Sequence, residues 1–318
     1  MLAKLLKVRI FDLEASGACN LHCAFCPRDQ LPPTGMMSLE TFCNFLNGVR
    51  LGSTDTLSFV GLGEPLLNRS LPEFIRAAKE RYPKVRTWVT TNGTLLNEKT
   101  LPPLLDAGLD TLDISFNGLD PETYERQMKG AKFERSLANV EYAVREIQRR
   151  AAGTQLQINY VVSKENSDKE ASIQSFWRER GVKFFRPQRL HDRGGLIGMA
   201  GMTPPDQPGL RGRSCAVFEV VTFVTWQGDV MYCCHDIPRK HKLGSVNKDS
   251  WDEIWARKQE VIRRGEWPAM CRICKDPLRH DMRERIDEMI WQEVGSQVVA
   301  GFRRAGSLLG RLVRAARG

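Results

Sequence analysis

Through its first 190 residues the chain alternates between two hydrophobic rhythms. Short β-branched runs at Val8–Glu14, Thr56–Gly61, Val85–Thr90, Thr111–Phe116, Gln155–Val162 and Val182–Pro187 predict strands. Between them apolar positions recur at helical spacing. Ser38 predicts the cap of a helix over Leu39–Val49, Ser70 or Pro72 opens one running to Arg81, and Asn97 caps Glu98–Ala107. Pro121 begins a short helix at the first-turn position where proline is tolerated, and Phe133–Arg150 and Asp168–Arg180 complete the set. Six strands alternating with helices predict parallel strands joined by right-handed crossovers, with the active site at their carboxyl ends.

After Pro187 the rhythm changes. Residues 191–213 are rich in Gly, Pro and Arg and read as a bridge. Val217–Trp226 and Val230–Cys233 predict a hairpin turning at Gln227-Gly228-Asp229, followed by a helix over Ser250–Arg264 and a Cys271/Cys274 pair. Ile286, Ile290, Val294, Val298 and Phe302 then fall at i, i+4 spacing, which predicts a C-terminal helix. The expected organisation is a parallel α/β domain over 1–190, a bridge and small second module over 191–280, and a helical basic tail over 281–318. No internal repeat interrupts it.

Composition narrows the class. Hydrophobic residues make up 42% and charged residues 27%, ordinary for a soluble globular protein. No apolar run reaches the ~18 residues of a membrane span. The N-terminus lacks a long apolar core and a small-residue cleavage site, so a cytoplasmic location is expected. Five of the nine net positive charges belong to Arg303, Arg304, Arg311, Arg314 and Arg317 in a final stretch without acids, so the net charge is no nucleic-acid signature. Leu308, Leu309, Leu312 and Val313 among those arginines leave membrane contact by the tail as an open alternative. Nine cysteines in a cytoplasmic chain point to metal or redox chemistry rather than disulfides.

Cys19-Asn-Leu-His-Cys23-Ala-Phe-Cys26 follows the first strand directly. Three thiolates this close can wrap a cubane and leave its fourth iron open to a small molecule. Structural zinc is the rival, with His22 as a conceivable fourth ligand. The spacing Cys-x3-Cys-x2-Cys with aromatic Phe25 before the last cysteine resembles the signature of the radical S-adenosylmethionine (SAM) superfamily. Gly61-Leu62-Gly63-Glu64-Pro65, after the second strand, resembles that family's Gly-Gly-Glu-Pro motif, with Leu62 in place of a glycine. Thr91-Asn92-Gly93 and Ser115-Phe116-Asn117-Gly118 close the third and fourth strands. The resemblance implies a partial (β/α)6 barrel and a [4Fe–4S] cluster on Cys19, Cys23 and Cys26. It further implies SAM held by Phe25, Gly63, Glu64, Asn92, Ser115 and Asn117, and cleavage of SAM to a 5′-deoxyadenosyl radical.

Twelve residues separate Cys215 from Gly228 and four separate Gly228 from Cys233; Cys271-x2-Cys274 follows. This resembles the SPASM and twitch modules of radical SAM enzymes, with Trp251-Asp-Glu-Ile-Trp255 similar to the helix between the pairs. His280 stands where a full SPASM module would carry a further cysteine. The resemblance therefore implies the shorter twitch form, with one auxiliary [4Fe–4S] cluster on Cys215, Cys233, Cys271 and Cys274, closest in spacing to a twitch-type aminocyclitol dehydrogenase. Structural zinc again remains open.

Cys43 reads as a small buried hydrophobe. Cys234 is a candidate hydrogen-atom donor, or an alternative to Cys233 as ligand. Arg186, Arg189, His191, Asp192 and Arg193 follow the sixth strand; of these, His191 and Arg193 are the candidates to bind substrate or deprotonate a substrate radical. The expected function is oxidation of a small polar metabolite, such as a sugar or aminocyclitol, with flavodoxin or ferredoxin as electron donor. The alternatives are a peptide maturase, a radical epimerase, and a zinc-stabilised nucleic-acid-binding protein. Only 18 residues precede Cys19, which leaves no room there for a peptide-recognition domain.

Overall fold

A computed structural model describes residues 9–31, 34–162, 166–190, 215–274 and 276. His191, Asp192, Arg193, His280 and the tail from Arg283 lie outside the described residues.

Strands β1 (Ile10–Leu13), β2 (Thr56–Phe59), β3 (Arg86–Thr91), β4 (Thr111–Ser115), β5 (Gln155–Val162) and β6 (Phe184–Arg189) run parallel in chain order. The crossovers carry α1 (Leu39–Gly48), α2 (Leu71–Arg81), α3 (Leu101–Asp106), α4 (Pro121–Gln127), α5 (Phe133–Arg149) and α6 (Glu170–Arg178). Local chemistry sets their starts. Ser38 accepts the Thr41 amide at 3.0 Å to cap α1. Asp120 accepts the Thr123 amide at 2.8 Å ahead of Pro121 in α4. Helix α3 begins three residues later than its sequence suggests. Asn97 and Thr100 spend their side chains on a turn, Asn97 accepting the Lys99 amide at 2.8 Å and Thr100 donating to the Leu95 carbonyl at 2.6 Å.

Alternation along the strands creates two faces. Phe11, Leu13, Phe59, Val89, Leu112, Ile114 and Ile158 are fully buried on the helical side. There Phe42 stacks on Phe74 at 4.6 Å and Phe11 meets Phe45 at 5.6 Å. The opposite, inner face carries Asp12, Ser58, Thr90, Asp113, Gln157, Asn159 and Arg186, aligned by strand register. Its amino-terminal end is closed by a second apolar cluster of Ile10, Trp88, Val217, Val220 and Val221.

That cluster explains one correction. Val217–Trp226 is not a single strand: α7 (Ala216–Val220) plugs the inner face, and only then does β7 (Val221–Val224) begin. Strand β7 pairs parallel with β1, Ile10 opposite Val221. Strands β8 (Asp229–Met231) and β9 (Lys242–Ser245) add to it antiparallel. The result is one nine-stranded sheet in the order β6-β5-β4-β3-β2-β1-β7-β8-β9. The fold is thus α/β with a mostly parallel sheet, consistent with a partial barrel, extended by a C-terminal hairpin region. Strand β9 was not foreseen, and β6 starts two residues later than expected because Val182 closes the turn after α6. Ser250 and Glu253 form a reciprocal capping box on α8 (Trp251–Arg264), and α9 (Ala269–Ile273) follows.

Candidate active site

The Cys19–Cys26 loop leaves the carboxyl end of β1 and is pinned from both sides. The His22 and Ala24 amides donate to the Lys129 and Gln127 carbonyls, both at 2.9 Å, and the Cys26 amide closes a turn onto the Cys23 carbonyl at 3.0 Å. Leu21 anchors the loop in the core at 1% exposure, while all three thiols remain half-buried. The Cys23 thiol is pushed up to about 12, first by burial and then by the charges of Cys26 and Cys19. A thiol crowded by two others suits ligation to iron, which stabilises its thiolate form. A cubane, with iron at separate corners, can take the three thiols of one short loop.

Glu64 is 1% exposed. It accepts the Leu66 amide at 3.0 Å, the Thr91 hydroxyl at 2.7 Å and the Asn92 amide at 2.7 Å. Burial raises its carboxyl to about 7 against the pull of those donors. The residue thereby welds the loop after β2 to the end of β3. Gly63 serves the same joint: a Cβ there would lie 1.9 Å from the Ser16 carbonyl oxygen. The Glu64 amide also donates to the Ala18 carbonyl at 2.8 Å, immediately before the triad. Asn92 completes the link, its amide nitrogen 2.9 Å from Asn20 Oδ1 and 3.8 Å from Cys19 Sγ. Cys19, Gly63, Glu64 and Asn92 are therefore brought together. Asn117 is engaged elsewhere, its Oδ1 accepting the Val161 amide at 2.7 Å, and Ser115 stands half-buried at the end of β4.

Sequence reading missed a charge-balanced network on the inner face. Asp113 is fully buried and accepts Gln157 at 2.8 Å, Asn159 at 2.9 Å, Thr90 at 3.0 Å and the Arg186 guanidinium. Arg186 also meets Gln188 at 2.7 Å and lies 5.6 Å from the Trp88 ring centre. Arg186 was noticed in the sequence for its place after β6; nothing local announced its partner 73 residues earlier.

The second cysteine set lies in the C-terminal module. Cys215 precedes α7, Cys233 follows β8, and Cys271 and Cys274 lie in and just after α9. The Tyr232 phenol is pushed far above its ordinary range, first by burial and then by the charges of Cys271, Cys215 and Cys233. Cys234 lies beside Cys233 and raises its thiol further by hydrogen bonding. Cys43 is half-buried on α1. A cleft of about 950 Å³ also opens on this module, lined by Tyr232, Lys240, Arg257, Trp267 and Arg272 among others, and shares no residue with the triad.

The two cysteine-bearing loops touch. Arg239, between β8 and β9, grips Glu14 with contacts of 2.8 and 2.7 Å. Glu14 is wholly buried, follows β1 on its inner face, and also accepts the Trp226 amide at 3.2 Å. Arg239 holds a left-handed backbone, φ 54°, to make this reach.

Comparison with known proteins agrees with this architecture. Residues 13–173 match the radical SAM superfamily, and residues 215–275 match an iron–sulfur cluster-binding domain, SPASM. A probable GTP 3′,8-cyclase of Methanococcus maripaludis is 29% identical over 55% of this chain and 57% of its own. An AdoMet-dependent heme synthase of Methanosarcina barkeri is 31% identical over 55% of this chain and 48% of its own. The chain thus spans about half the length of the curated relatives it matches. Among solved structures, BtrN in complex with AdoMet and 2-DOIA aligns over 85% of this chain and 94% of its own, with 20% identity and TM-score 0.57. Native anSMEcpe with bound AdoMet covers 92% and 98%, at 16% identity and TM-score 0.61. Streptococcus suis SuiB bound to precursor peptide SuiA covers 86% and 72%, at 14% identity and TM-score 0.62. Among the described residues no helix is long and apolar enough to cross a membrane. With the triad loop, the welded ends of β2 and β3 and the downstream thiols in place, the chain belongs to the radical SAM superfamily and carries a SPASM-type auxiliary iron–sulfur domain.

Proposed function

We propose that the enzyme oxidises a small, neutral, hydrogen-bonding metabolite of the sugar or aminocyclitol kind by two electrons. When bound, the triad cluster and SAM supply a 5′-deoxyadenosyl radical that removes a hydrogen atom, and the auxiliary cluster supplies an acceptor for the electron left behind. The observation that carries this reading is the Glu14–Arg239 bridge. It draws the loop bearing Cys233 onto the inner face, five residues before Cys19 in one loop and six after Cys233 in the other. The bridge ties the segments that lead to the two cysteine sets to each other, which supports passage of an electron between the two sites. Cys19, Cys23 and Cys26 would hold the first cluster, and Cys215, Cys233, Cys271 and Cys274 the second, with Cys234 left outside that set. Asn92, Ser115 and Glu64 would orient SAM. Asp113, paired to Arg186 among three uncharged donors, offers a hydrogen-bonding site whose own charges balance, which suits hydroxyl groups. His191 and Arg193 stay as proposed substrate-facing residues on the segment after β6.

Anaerobic reconstitution tests this. Iron at about eight atoms per chain is expected, as two [4Fe–4S] clusters require. Dithionite with SAM should release 5′-deoxyadenosine, and Cys26→Ala should abolish it. A panel of aminocyclitols and sugars should yield one product lighter by two hydrogens per 5′-deoxyadenosine released; zinc in place of iron refutes the reading.

A peptide substrate is the second reading, favoured by one feature. Among the described residues β6 pairs only with β5, leaving a strand edge to which an extended peptide can add. Peptide-dependent release of 5′-deoxyadenosine, with none from the metabolite panel, would establish it.

A further inference from the structure

Asn92, Asn20 and Thr94 close a small circuit of hydrogen bonds beside Cys19. The Asn92 side-chain amide donates to Asn20 Oδ1 at 2.9 Å, Asn20 donates to the Thr94 hydroxyl at 2.8 Å, and that hydroxyl donates back to Asn92 Oδ1 at 2.6 Å. The Thr94 backbone amide also donates to Asn92 Oδ1, at 3.0 Å. A backbone amide can only donate, so this bond fixes which end of the Asn92 side chain is oxygen and which is nitrogen. One hydrogen of that nitrogen goes to Asn20, and the other faces Cys19 Sγ at 3.8 Å. The circuit is also held from outside. Asn139 of α5 donates to the Gly93 and Thr94 carbonyls at 3.0 Å each, and the Asn92 backbone amide donates to Glu64 at 2.7 Å. None of the three side chains in the circuit titrates, so the donor aimed at Cys19 is present at every pH.

We propose that Asn92 is a positioning residue of the first cluster, aiming a fixed, uncharged hydrogen-bond donor at the Cys19 sulfur and thereby raising the cluster's reduction potential. Asn20 and Thr94 hold that donor in place. The proposal rests on the reading above only in its assignment of Cys19 as a cluster ligand. The step concerned is entry of one electron from dithionite or from a reduced flavodoxin or ferredoxin. No bond forms or breaks in it and no proton moves. The reduced cluster carries one more negative charge, shared with its cysteine sulfurs. A donor aimed at one of those sulfurs therefore favours the reduced form.

The test is a midpoint potential, read in the reconstituted full chain by an EPR-monitored redox titration without SAM or substrate. Cys26→Ala keeps only the auxiliary cluster, and its titration is subtracted to leave that of the first. Asn92→Leu removes the donor at nearly constant volume. It should move the midpoint to more negative values by about 30 mV, a roughly threefold loss at about 59 mV per tenfold in the one-electron equilibrium. Thr94→Val breaks the circuit while sparing Asn92, and should move the midpoint the same way by less. Thr94→Ser keeps the hydroxyl and should titrate as the wild type does. An unchanged midpoint in Asn92→Leu at full iron content overturns the proposal. Where Asn92→Leu fails to hold iron, Thr94→Val decides, and a midpoint equal to that of Thr94→Ser overturns it as well. An error in the ligand assignment would show separately, as full iron content in Cys19→Ala. Failure of the oxidation reading would show in the metabolite panel, with this shift intact.

Discussion

Gly63 shows how little space separates the triad loop from its support. A methyl group there would overlap the Ser16 carbonyl at 1.9 Å and the Ala18 carbonyl at 2.5 Å, both backbone atoms that cannot swing aside. Gly63→Ala is therefore expected to displace the triad loop while sparing the C-terminal module. Iron should fall to about half of the wild-type content, with SAM cleavage lost. Glu64, next door, makes a second prediction. Its folded carboxyl titrates near 7, above the ordinary value of 4.5, so between those values the native state holds a proton that the unfolded chain has released. Stability from this group is present below 4.5 and is lost as pH rises through 7. Measured against Glu64→Gln by denaturant unfolding of cluster-free protein, the wild type should lose roughly 3 kcal/mol of relative stability across that window. The Gly-x-Gly-Glu-Pro run was legible in the sequence because its chemistry is local. That its glycine accommodates backbone, and that its glutamate ties two loops together, was not, since both depend on what the fold brings opposite.

At the scale of elements, regular alternation made the first five strands readable, because one face of each is apolar and the other polar. Val217–Val224 defeated that reasoning. A largely buried, mostly β-branched run has little alternation to read, and it splits into a helix that plugs one end of the sheet and a strand that joins it. Strand β9, Lys-Leu-Gly-Ser, is too short and polar to signal itself. Helix α8 was expected over Ser250–Arg264, yet its inward lysine was not. Lys258 is 2% exposed, donates to the Val221 carbonyl and the Thr222 hydroxyl at 2.8 Å each, and lies over the Phe218 and Trp255 rings. Burial lowers its ammonium to about 7. The folded state thus sheds a proton that the unfolded chain keeps up to 10.5, and the cost of burying the charge is relieved as pH rises from 7 toward 10.5. Relative to Lys258→Met, the wild type should gain as much as roughly 5 kcal/mol over that range in chemical unfolding.

Across the whole molecule, the contact between modules sets a buried ion pair beside an apolar seam. Arg239 and Glu14 are 7% and 0% exposed at the side chain. Removing one partner strands the other charge, which costs about 3–5 kcal/mol. Arg239→Met should therefore destabilise the chain by that order, and Glu14→Gln combined with Arg239→Met should recover much of it, as read by denaturant midpoints of the two variants. No motif announced this pair, because its members stand 225 residues apart and each looks like an ordinary surface charge in its own neighbourhood.

The position of β1 bears on how the protein is made. The first of the described strands in chain order, β1, lies between β2 and β7, and the Glu14 amide donates to the Val224 carbonyl at 2.9 Å. Until residue 221 has been synthesised, β1 keeps one edge unpaired and the stem of the Cys19–Cys26 loop is held from one side only. Closing a contact across so much chain is slow, and an open strand edge invites aggregation in the interval. The stem of the loop that carries Cys19, Cys23 and Cys26 is thereby completed only when β7 joins, so the support of the triad waits on synthesis of the domain that follows it.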